Sequence, residues 1–188
     1  MIAMKTYTDS LTLLAARERY MQDNGFDLAY DERWVKLKAG PIPIWFPNAA
    51  GRVRAVKRHD LHHLATGYGT TWTGEAEIAA WELASGCGRF HWAWGLNLSA
   101  LPIGLLIAPR ATFRAFVRGR HSGNLYHRRA DIDEALLAQP VRTLRAALGL
   151  EQPTPPARLR DVAGFAFFCA VGIAQMLAVP ALLLAALR

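Results

Sequence analysis

Residues 59–75 read HDLHHLATGYGTTWTGE, and this stretch decides how the middle of the chain folds. Glycine disfavours the interior of a helix, so Gly67, Gly69 and Gly74 interrupt any continuous helix between the histidines and Glu75. The stretch therefore predicts two helices that meet across a glycine-containing turn. Such a turn brings Glu75 back beside the helix that carries the histidines.

Four side chains of this stretch are candidate ligands of one divalent metal ion. On a helix each residue advances about 100°, so with His59 at zero His63 falls at about 40° and Asp60 at about 100°. These three side chains share one arc, and Glu75 completes the set from the second helix. His62 falls at about −60°, on the flank, and is the weaker ligand candidate. We therefore predict a metal site formed by His59, Asp60, His63 and Glu75.

The ligand types narrow the choice of metal without identifying it. Two imidazole nitrogens with carboxylate oxygens suit Zn²⁺, Fe²⁺, Mn²⁺ or Co²⁺. We expect Zn²⁺, with Fe²⁺ and Mn²⁺ as alternatives. His62 and Glu82 are expected to contact the ligands, and Glu82 can instead form a salt bridge. Glu75 also has an alternative role, because an acid in the first turn of a helix interacts favourably with the helix dipole.

Other chemistries that use His and Asp fit this sequence less well. The phosphohydrolases named for an adjacent His-Asp pair need a further metal-binding His upstream, and His59 is the first histidine of the chain. Zincins need a Glu directly after the first His, where this sequence has Asp60. The chain has no nucleophile elbow, and Cys87 has no evident activating base. A Ser or Cys nucleophile is therefore not expected.

The composition describes one domain with a core and a basic surface. The chain has 188 residues, of which 52% are apolar and 20% charged, and its net charge is +7. Arginine outnumbers lysine by 18 to 4. This bias reflects either recognition of carboxylate or phosphate groups or the base composition of the genome. The two cysteines, Cys87 and Cys169, form no disulfide framework, so nothing indicates an oxidising compartment.

The pattern of apolar residues and helix breakers predicts a mainly α fold. Residues 1–150 are expected to form a helical metal-binding domain, with a short extended, hairpin-like segment near residues 34–46 around Gly40 and Pro41. The uncharged segment Trp92–Ala108 contains a proline and two glycines. We interpret it as a buried, kinked helix, and the alternative is a segment embedded in a membrane.

The C-terminal segment carries the clearest membrane signal. The run EQPTPP predicts a linker at residues 151–161, and Val162–Leu187 then extends for 26 residues without a charge. That length exceeds the roughly 20 apolar residues that cross a bilayer. We expect residues 162–188 to form a transmembrane anchor, against the alternative of a buried helix. Arg158 and Arg160 predict that the preceding domain lies on the cytoplasmic face.

A basic stripe lies between the two apolar segments. Arg110, Arg114 and Arg118 recur every four residues, and no acid occurs between residues 110 and 129. We expect this helix face to contact anionic lipid headgroups, and the alternative is a solvated basic face. No nucleic-acid-binding motif accompanies the charge, so no nucleic acid partner is expected.

The stretch from His59 to Glu75 resembles the coenzyme Q (ubiquinone) biosynthesis protein 4 family, whose hallmark is H-D-x-x-H-x11-E. All four motif positions match, as His59, Asp60, His63 and Glu75. A looser likeness extends from about Arg19 to Tyr126 and includes GPIPIWFPN and the apolar segment around Leu101-Pro102. The chain resembles a divergent bacterial-type member with an added C-terminal apolar segment.

The resemblance implies a mostly α-helical, membrane-associated protein that binds a metal at the motif. It implies a role in ubiquinone biosynthesis, with oxidative decarboxylation at C1 of a polyprenylated benzoate precursor as the activity. It also implies association with other quinone biosynthesis proteins at a bacterial inner membrane. A polyprenyl tail needs a long apolar groove, for which Trp92–Ala108 is the candidate lining.

Two other functions remain open from the sequence. In the first, the protein is a non-catalytic lipid-binding or scaffold protein of the quinone biosynthetic complex, and the metal only joins two helices. In the second, it is a metal-dependent hydrolase of another lipid-like substrate. The resemblance favours the metal-dependent decarboxylase over both.

Overall fold

The computed structural model describes residues 9–26, 32–39, 42–128 and 130–186. It is mainly helical, which confirms the predicted fold class. The elements in chain order are α1 (Leu13–Asn24), β1 (Trp34–Ala39), β2 (Ile42–Pro47), α2 (Ala50–Thr66), α3 (Trp72–Ser85), α4 (His91–Ile107), α5 (Pro109–Arg120), a 3-10 turn (Leu125–His127), α6 (Glu134–Leu137), α7 (Val141–Ala147) and α8 (Leu159–Ala186).

The extended segment near residues 34–46 is an antiparallel hairpin. β1 pairs with β2 in a register that sets Trp34 opposite Pro47 and Ala39 opposite Ile42. Gly40 and Pro41, around which the hairpin was expected to turn, lie outside the described residues. The hairpin immediately precedes α2.

The glycine turn between α2 and α3 forms as expected. Gly67 caps the end of α2 with φ of 79°, a left-handed conformation that favours glycine, and its N–H donates to His63 O at 2.9 Å. The Thr71 side chain accepts from Gly74 N at 3.2 Å, so α3 begins at Trp72 and already contains Gly74. A Cβ at Gly74 would lie 2.1 Å from Gly69 O. Only glycine therefore lets the turn fold back onto α3.

Helix α3 lies at the centre of the domain between α4 and α5. Its Trp81 is fully buried, and a Cβ built on Gly119 of α5 would lie 2.4 Å from Trp81 O. A Cβ on Gly104 of α4 would lie 2.5 Å from the Cβ of Ala76. Glycine thus allows both neighbouring helices to approach α3 closely, which fixes the position of the residues that α3 presents to α2.

Helix α4 is buried along one side only. Asn97 and Leu101 face the core, where their exposed fractions are 4% and 0%. Leu96, Leu106 and Ile107 are exposed, and Leu106 retains 84% of its accessible surface. The segment Trp92–Ala108 is therefore part of the core on one side and an apolar surface on the other.

Helix α8 is long and apolar enough, by length and composition, to cross a membrane over Leu159–Ala178. It begins three residues before the predicted anchor, and the carboxylate of Asp161 accepts a hydrogen bond from Arg158 N at 2.8 Å at its start. The outward side chains Phe167 and Leu177 are 62% and 69% exposed. Leu187 and Arg188, the end of the predicted anchor, lie outside the described residues.

Helix α8 packs against α4 as far along as Gln175. The rings of Phe168 and Trp94 stack with centroids 6.0 Å apart, and a Cβ built on Gly172 would lie 2.4 Å from Leu98 O. The Gln175 amide donates to Ser99 Oγ and to the carbonyl of Gly95, both at 2.8 Å. Small residues and a satisfied polar side chain at a helix interface are typical of packing in an apolar environment.

Candidate metal centre

Three ligand-type side chains meet between α2 and α3. Among the described residues, His59, His63 and Glu75 each offer one ligand atom within 4.8 Å of the others. The two histidine Nε2 atoms are 3.1 Å apart. Oε2 of Glu75 lies 3.5 Å from His59 Nε2, and Oε1 lies 3.5 Å from His63 Nε2. The helical spacing of the histidines and the glycine turn together produce this arrangement.

The Nδ1 atoms of both histidines have hydrogen-bond partners outside the centre, which leaves the two Nε2 atoms for the centre. His63 Nδ1 lies 2.9 Å from the carbonyl oxygen of Tyr68, which only accepts hydrogen bonds. His59 Nδ1 lies 3.0 Å from Oε1 of Glu82. Each Nδ1 therefore carries a proton that is donated away from the centre.

Two facing lone pairs repel each other unless a positive charge lies between them. Two nitrogens bound to one tetrahedral ion at ~2.0–2.1 Å would lie about 3.3 Å apart. The observed Nε2 separation of 3.1 Å is close to that value. The donor set therefore fits either a divalent ion or a single shared proton.

The pKa values of the three groups keep two of them ready to bind a cation. Burial and the neighbouring charge of His59 lower the pKa of His63 to about 4, so His63 is neutral at pH 7. Burial raises the pKa of the Glu75 carboxyl, but the hydrogen bond and charge of His59 outweigh it, and the net pKa is below the usual range. Burial lowers the pKa of His59, but Glu82 and Glu75 together outweigh it and raise the pKa well above the usual range.

Metal affinity is expected to increase with pH. The pKa of His59 is raised, and at a pH below that pKa its Nε2 carries a proton. A metal ion binds the same nitrogen, so binding must displace that proton. Affinity should therefore rise about tenfold per pH unit until His59 becomes neutral, and His63, with a pKa of about 4, adds nothing near pH 7. Calorimetric titration with Zn²⁺ in two buffers of different ionisation enthalpy measures the released proton. Binding at pH 7 without proton release would contradict the assignment.

Glu82 links the centre to the core. Its carboxylate is fully buried and accepts four hydrogen bonds. Oε1 accepts from His59 Nδ1 at 3.0 Å and His62 Nδ1 at 2.6 Å, and Oε2 accepts from Asn97 Nδ2 at 2.6 Å and Tyr126 OH at 3.0 Å. Burial raises the pKa of Glu82, but the charge and hydrogen bond of His59 outweigh it and keep the carboxyl ionised.

His62 uses both ring nitrogens within the fold. Its Nδ1 donates to Glu82, and its Nε2 accepts from Leu125 N at 2.9 Å. The ring is fully buried, and burial lowers its pKa. His62 therefore contacts Glu82 rather than offering a nitrogen to the centre.

The ligand group found among the described residues does not include Asp60. Asp60 is 7% exposed, and its carboxylate interacts electrostatically with Arg52. The neighbouring position on α2 turns its side chain about 100° away from that of His59. The structure thus brings together three of the four residues that the sequence predicted as ligands.

The centre is open on the side of Glu75. The side chains of Glu75 and His59 are 40% and 22% exposed, whereas that of His63 is 1% exposed. Zinc sites that keep a position open beside three protein ligands are typical of catalysis. Two histidines and one carboxylate with open positions are also typical of Fe²⁺ oxygenases. The cluster could therefore hold a metal ion with one side of the centre accessible.

Comparison of the chain with protein-family models, curated proteins and solved structures finds no match.

The predicted arginine stripe divides into two parts. Arg110 and Arg114 are exposed on α5. Arg118 is half-buried, donates to Thr66 O at 2.9 Å and lies 5.5 Å from the centroid of the Tyr68 ring. Arg118 therefore contacts the end of α2 and the turn whose Tyr68 carbonyl accepts from His63. Arg110 and Arg114 are the two arginines of the stripe that face solvent or lipid.

Three contributors to the centre had no signal in the sequence. Asn97 and Tyr126 bind Glu82 from α4 and the 3-10 turn, and Tyr68 acts through its backbone carbonyl. None of them occurs at a spacing that suggests ligation. Asn97 and Tyr126 are distinguished by their contact with the buried Glu82 carboxylate, and that contact depends on the packing of distant segments.

Proposed function

We propose that this protein is a metal-dependent enzyme of ubiquinone biosynthesis that acts on a polyprenylated benzoate or quinone precursor at a membrane. The observation that carries the proposal is the pair of facing histidine Nε2 atoms, 3.1 Å apart, beside the half-exposed carboxylate of Glu75. The resemblance of the motif supplies the substrate class. We expect Zn²⁺ in the centre, with Fe²⁺ or Mn²⁺ as alternatives.

The proposed reaction replaces the C1 carboxyl group of the precursor by a hydroxyl group. Carbon dioxide leaves, water supplies the new oxygen, and two electrons and two protons pass to dioxygen, which becomes hydrogen peroxide. A divalent ion would act as a Lewis acid on a carboxylate or phenolate oxygen. His59, His63 and Glu75 would hold the ion, and Glu82 would keep the His59 ring in its binding orientation.

The apolar surfaces of α4 and α8 support a position at a membrane. Leu106 and Ile107 are exposed at the end of α4, and the exposed Arg110 follows at the start of α5. Arginine beside exposed apolar residues suits the boundary between lipid tails and anionic headgroups. The exposed side of α4 offers the prenyl tail an apolar surface. Arg158 and Arg160 favour the cytoplasmic face of a bacterial inner membrane for the domain.

The alternative function is a non-catalytic lipid-binding or scaffold protein of the quinone biosynthetic complex. It is favoured by the position of the centre, because its ligands come from both α2 and α3 and a bound ion would join the two helices. In that case the ion contributes to stability and not to turnover of the precursor.

Deletion of the gene is expected to cause accumulation of a prenylated precursor that retains its C1 carboxyl group. Expression of the intact protein should restore quinone, and Glu75→Ala should not, because it removes the carboxylate of the centre. Glu77→Ala, two positions further along α3, is the matched control and should restore quinone. Lipid extracts analysed by mass spectrometry measure both compounds. Restoration by a folded Glu75→Ala protein that lacks the ion would instead support the scaffold function.

A further inference from the structure

We propose that the cavity between the starts of α2 and α4 binds a phosphate monoester group. Its volume is about 540 Å³, and its lining includes Arg54 of α2, Arg89, and Trp92 of α4. Gly51, which also lines it, precedes His59 by eight residues, or about 12 Å along the helix. No lining residue of the cavity belongs to the ligand group of the metal centre, so its ligand does not depend on the chemistry proposed there.

The walls of the cavity carry an excess of positive charge. Arg54 and Arg89 line it, and the guanidinium of Arg58 lies behind the wall, 4.6 Å from the centroid of the lining Phe90 ring. Among the described lining residues, Asp131 carries the one carboxylate, which is 70% exposed and lies 3.2 Å from Arg58. The described lining therefore contains two guanidinium groups, and its one carboxylate is already paired with Arg58.

Arg58 is buried next to the cavity, against the lining Phe90 ring. It is 1% exposed, and its Nη atoms donate to the carbonyls of Arg54 and Ala130 at 2.9 and 3.1 Å. Within the described part of the chain its Nε has no hydrogen-bond partner. A buried guanidinium with an unsatisfied donor is costly. Negative charge in the adjacent cavity would interact favourably with the Arg58 guanidinium, because a buried charge is weakly screened.

Backbone donors of two helices add to the positive character of the cavity. Gly51 and Trp92 lie in the first turns of α2 and α4 and are in contact, since a Cβ on Gly51 would lie 3.4 Å from Trp92 Cδ1. In the described chain neither helix has a capping side chain or an acid in its first turn. Backbone N–H groups in the first turn of a helix that lack a capping side chain or a nearby acid interact favourably with a bound anion.

Charge and shape together indicate a phosphate monoester. Such a group carries about −1.5 to −2 at pH 7, and its several oxygens can accept from two lining guanidinium groups at once, whereas a carboxylate has one negative charge and two oxygens. Arginine binds phosphate oxygens through two parallel hydrogen bonds. The cavity is larger than a phosphate group alone, and the rings of Phe90 and Trp92 offer apolar surface to the group that the phosphate carries. The ligand is therefore a free phosphorylated compound or a lipid with a phosphate monoester headgroup.

Thermal unfolding of the full chain in neutral detergent micelles tests the proposal, with inorganic phosphate compared with chloride at equal ionic strength. A parallel measurement uses micelles that contain phosphatidic acid. At least one probe should raise the unfolding temperature of the wild type, and a response to phosphatidic acid alone would identify the headgroup as the source. The Arg54→Ala/Arg89→Ala double variant should bind the effective probe at least about tenfold more weakly, because both side chains that line the cavity are lost.

The matched control is Arg19→Ala/Arg142→Ala, which removes the same charge from exposed positions of α1 and α7, away from the cavity and from the exposed surface of α4, and should respond like the wild type. Arg54→Gln, a single change at an exposed position, provides a second test should the double variant fold poorly. The proposal is overturned if neither probe stabilises the wild type. It is equally overturned if the cavity and control variants respond alike.

Discussion

Glu75→Ala is expected to remove the divalent ion from the purified protein and to leave its helical fold almost unchanged. Removing a residue that only hydrogen-bonds to a metal ligand weakens metal binding by roughly 10- to 100-fold. Glu75 is itself one of three ligands, so its loss should weaken Zn²⁺ binding by more than that. The fold should persist because the Glu75 side chain is 40% exposed and the start of α3 is capped by Thr71 instead. Metal analysis after dialysis, together with competition against a chelator, measures the change.

Glu77→Ala is the control for this substitution. Glu77 lies on the same helix and is half-buried, and it does not belong to the ligand group. Its loss should leave one ion per chain bound. Equal metal retention by Glu75→Ala and the wild type would rule out the centre. The unfolding temperature of Glu75→Ala should equal that of the wild type without metal. A much lower value would show that Glu75 acts mainly in the fold.

Glu82→Leu is expected to cause the largest loss of stability of any single change at the centre, about 3–5 kcal/mol in the free energy of unfolding. Leucine removes the carboxylate that accepts from His59, His62, Asn97 and Tyr126. Those donors then remain in a buried environment without an acceptor, and each such group costs about 1–3 kcal/mol. Denaturant unfolding followed by circular dichroism measures the difference.

Glu82→Gln separates the effect on the metal from the effect on the fold. Glutamine keeps the shape and one acceptor oxygen for the histidines, so the loss of stability should be smaller than for leucine. It removes the negative charge that orients and strengthens His59 as a ligand, and Zn²⁺ affinity should fall about 10- to 100-fold. Glu77→Gln should change neither quantity. An unchanged Zn²⁺ affinity in a folded Glu82→Gln protein would show that Glu82 does not act on the centre.

The pairing of the two histidines could be predicted from the sequence because it depends on local geometry. Residues four apart on a helix share a face, and glycines at the end of α2 require a turn. The same reasoning placed Glu75 beside the histidines, although α3 begins at Trp72 and Gly74 lies inside it. The length and apolarity of α8 were likewise readable from consecutive residues.

Asp60 and Arg118 show where local geometry is not sufficient. Asp60 occupies the motif position next to His59, but it lies outside the ligand group that the described residues form. Arg118 belongs to a regular basic stripe, and yet it hydrogen-bonds to Thr66 O while Arg110 and Arg114 are exposed. Spacing along one helix identifies which side chains share a face, whereas the neighbouring helices determine what that face contacts.

The sequence by itself thus determined the mainly helical fold, the turn between α2 and α3, and a set of four candidate ligands that contains the three side chains able to hold a metal. Each of these features depends on residues close together in the chain. The tertiary structure alone decided that Glu82 is the buried acceptor behind His59, that Asn97 and Tyr126 complete its hydrogen bonds, and that α8 packs along α4. Those contacts join segments far apart in the chain, and they form because buried polar groups require partners that only packing brings within reach.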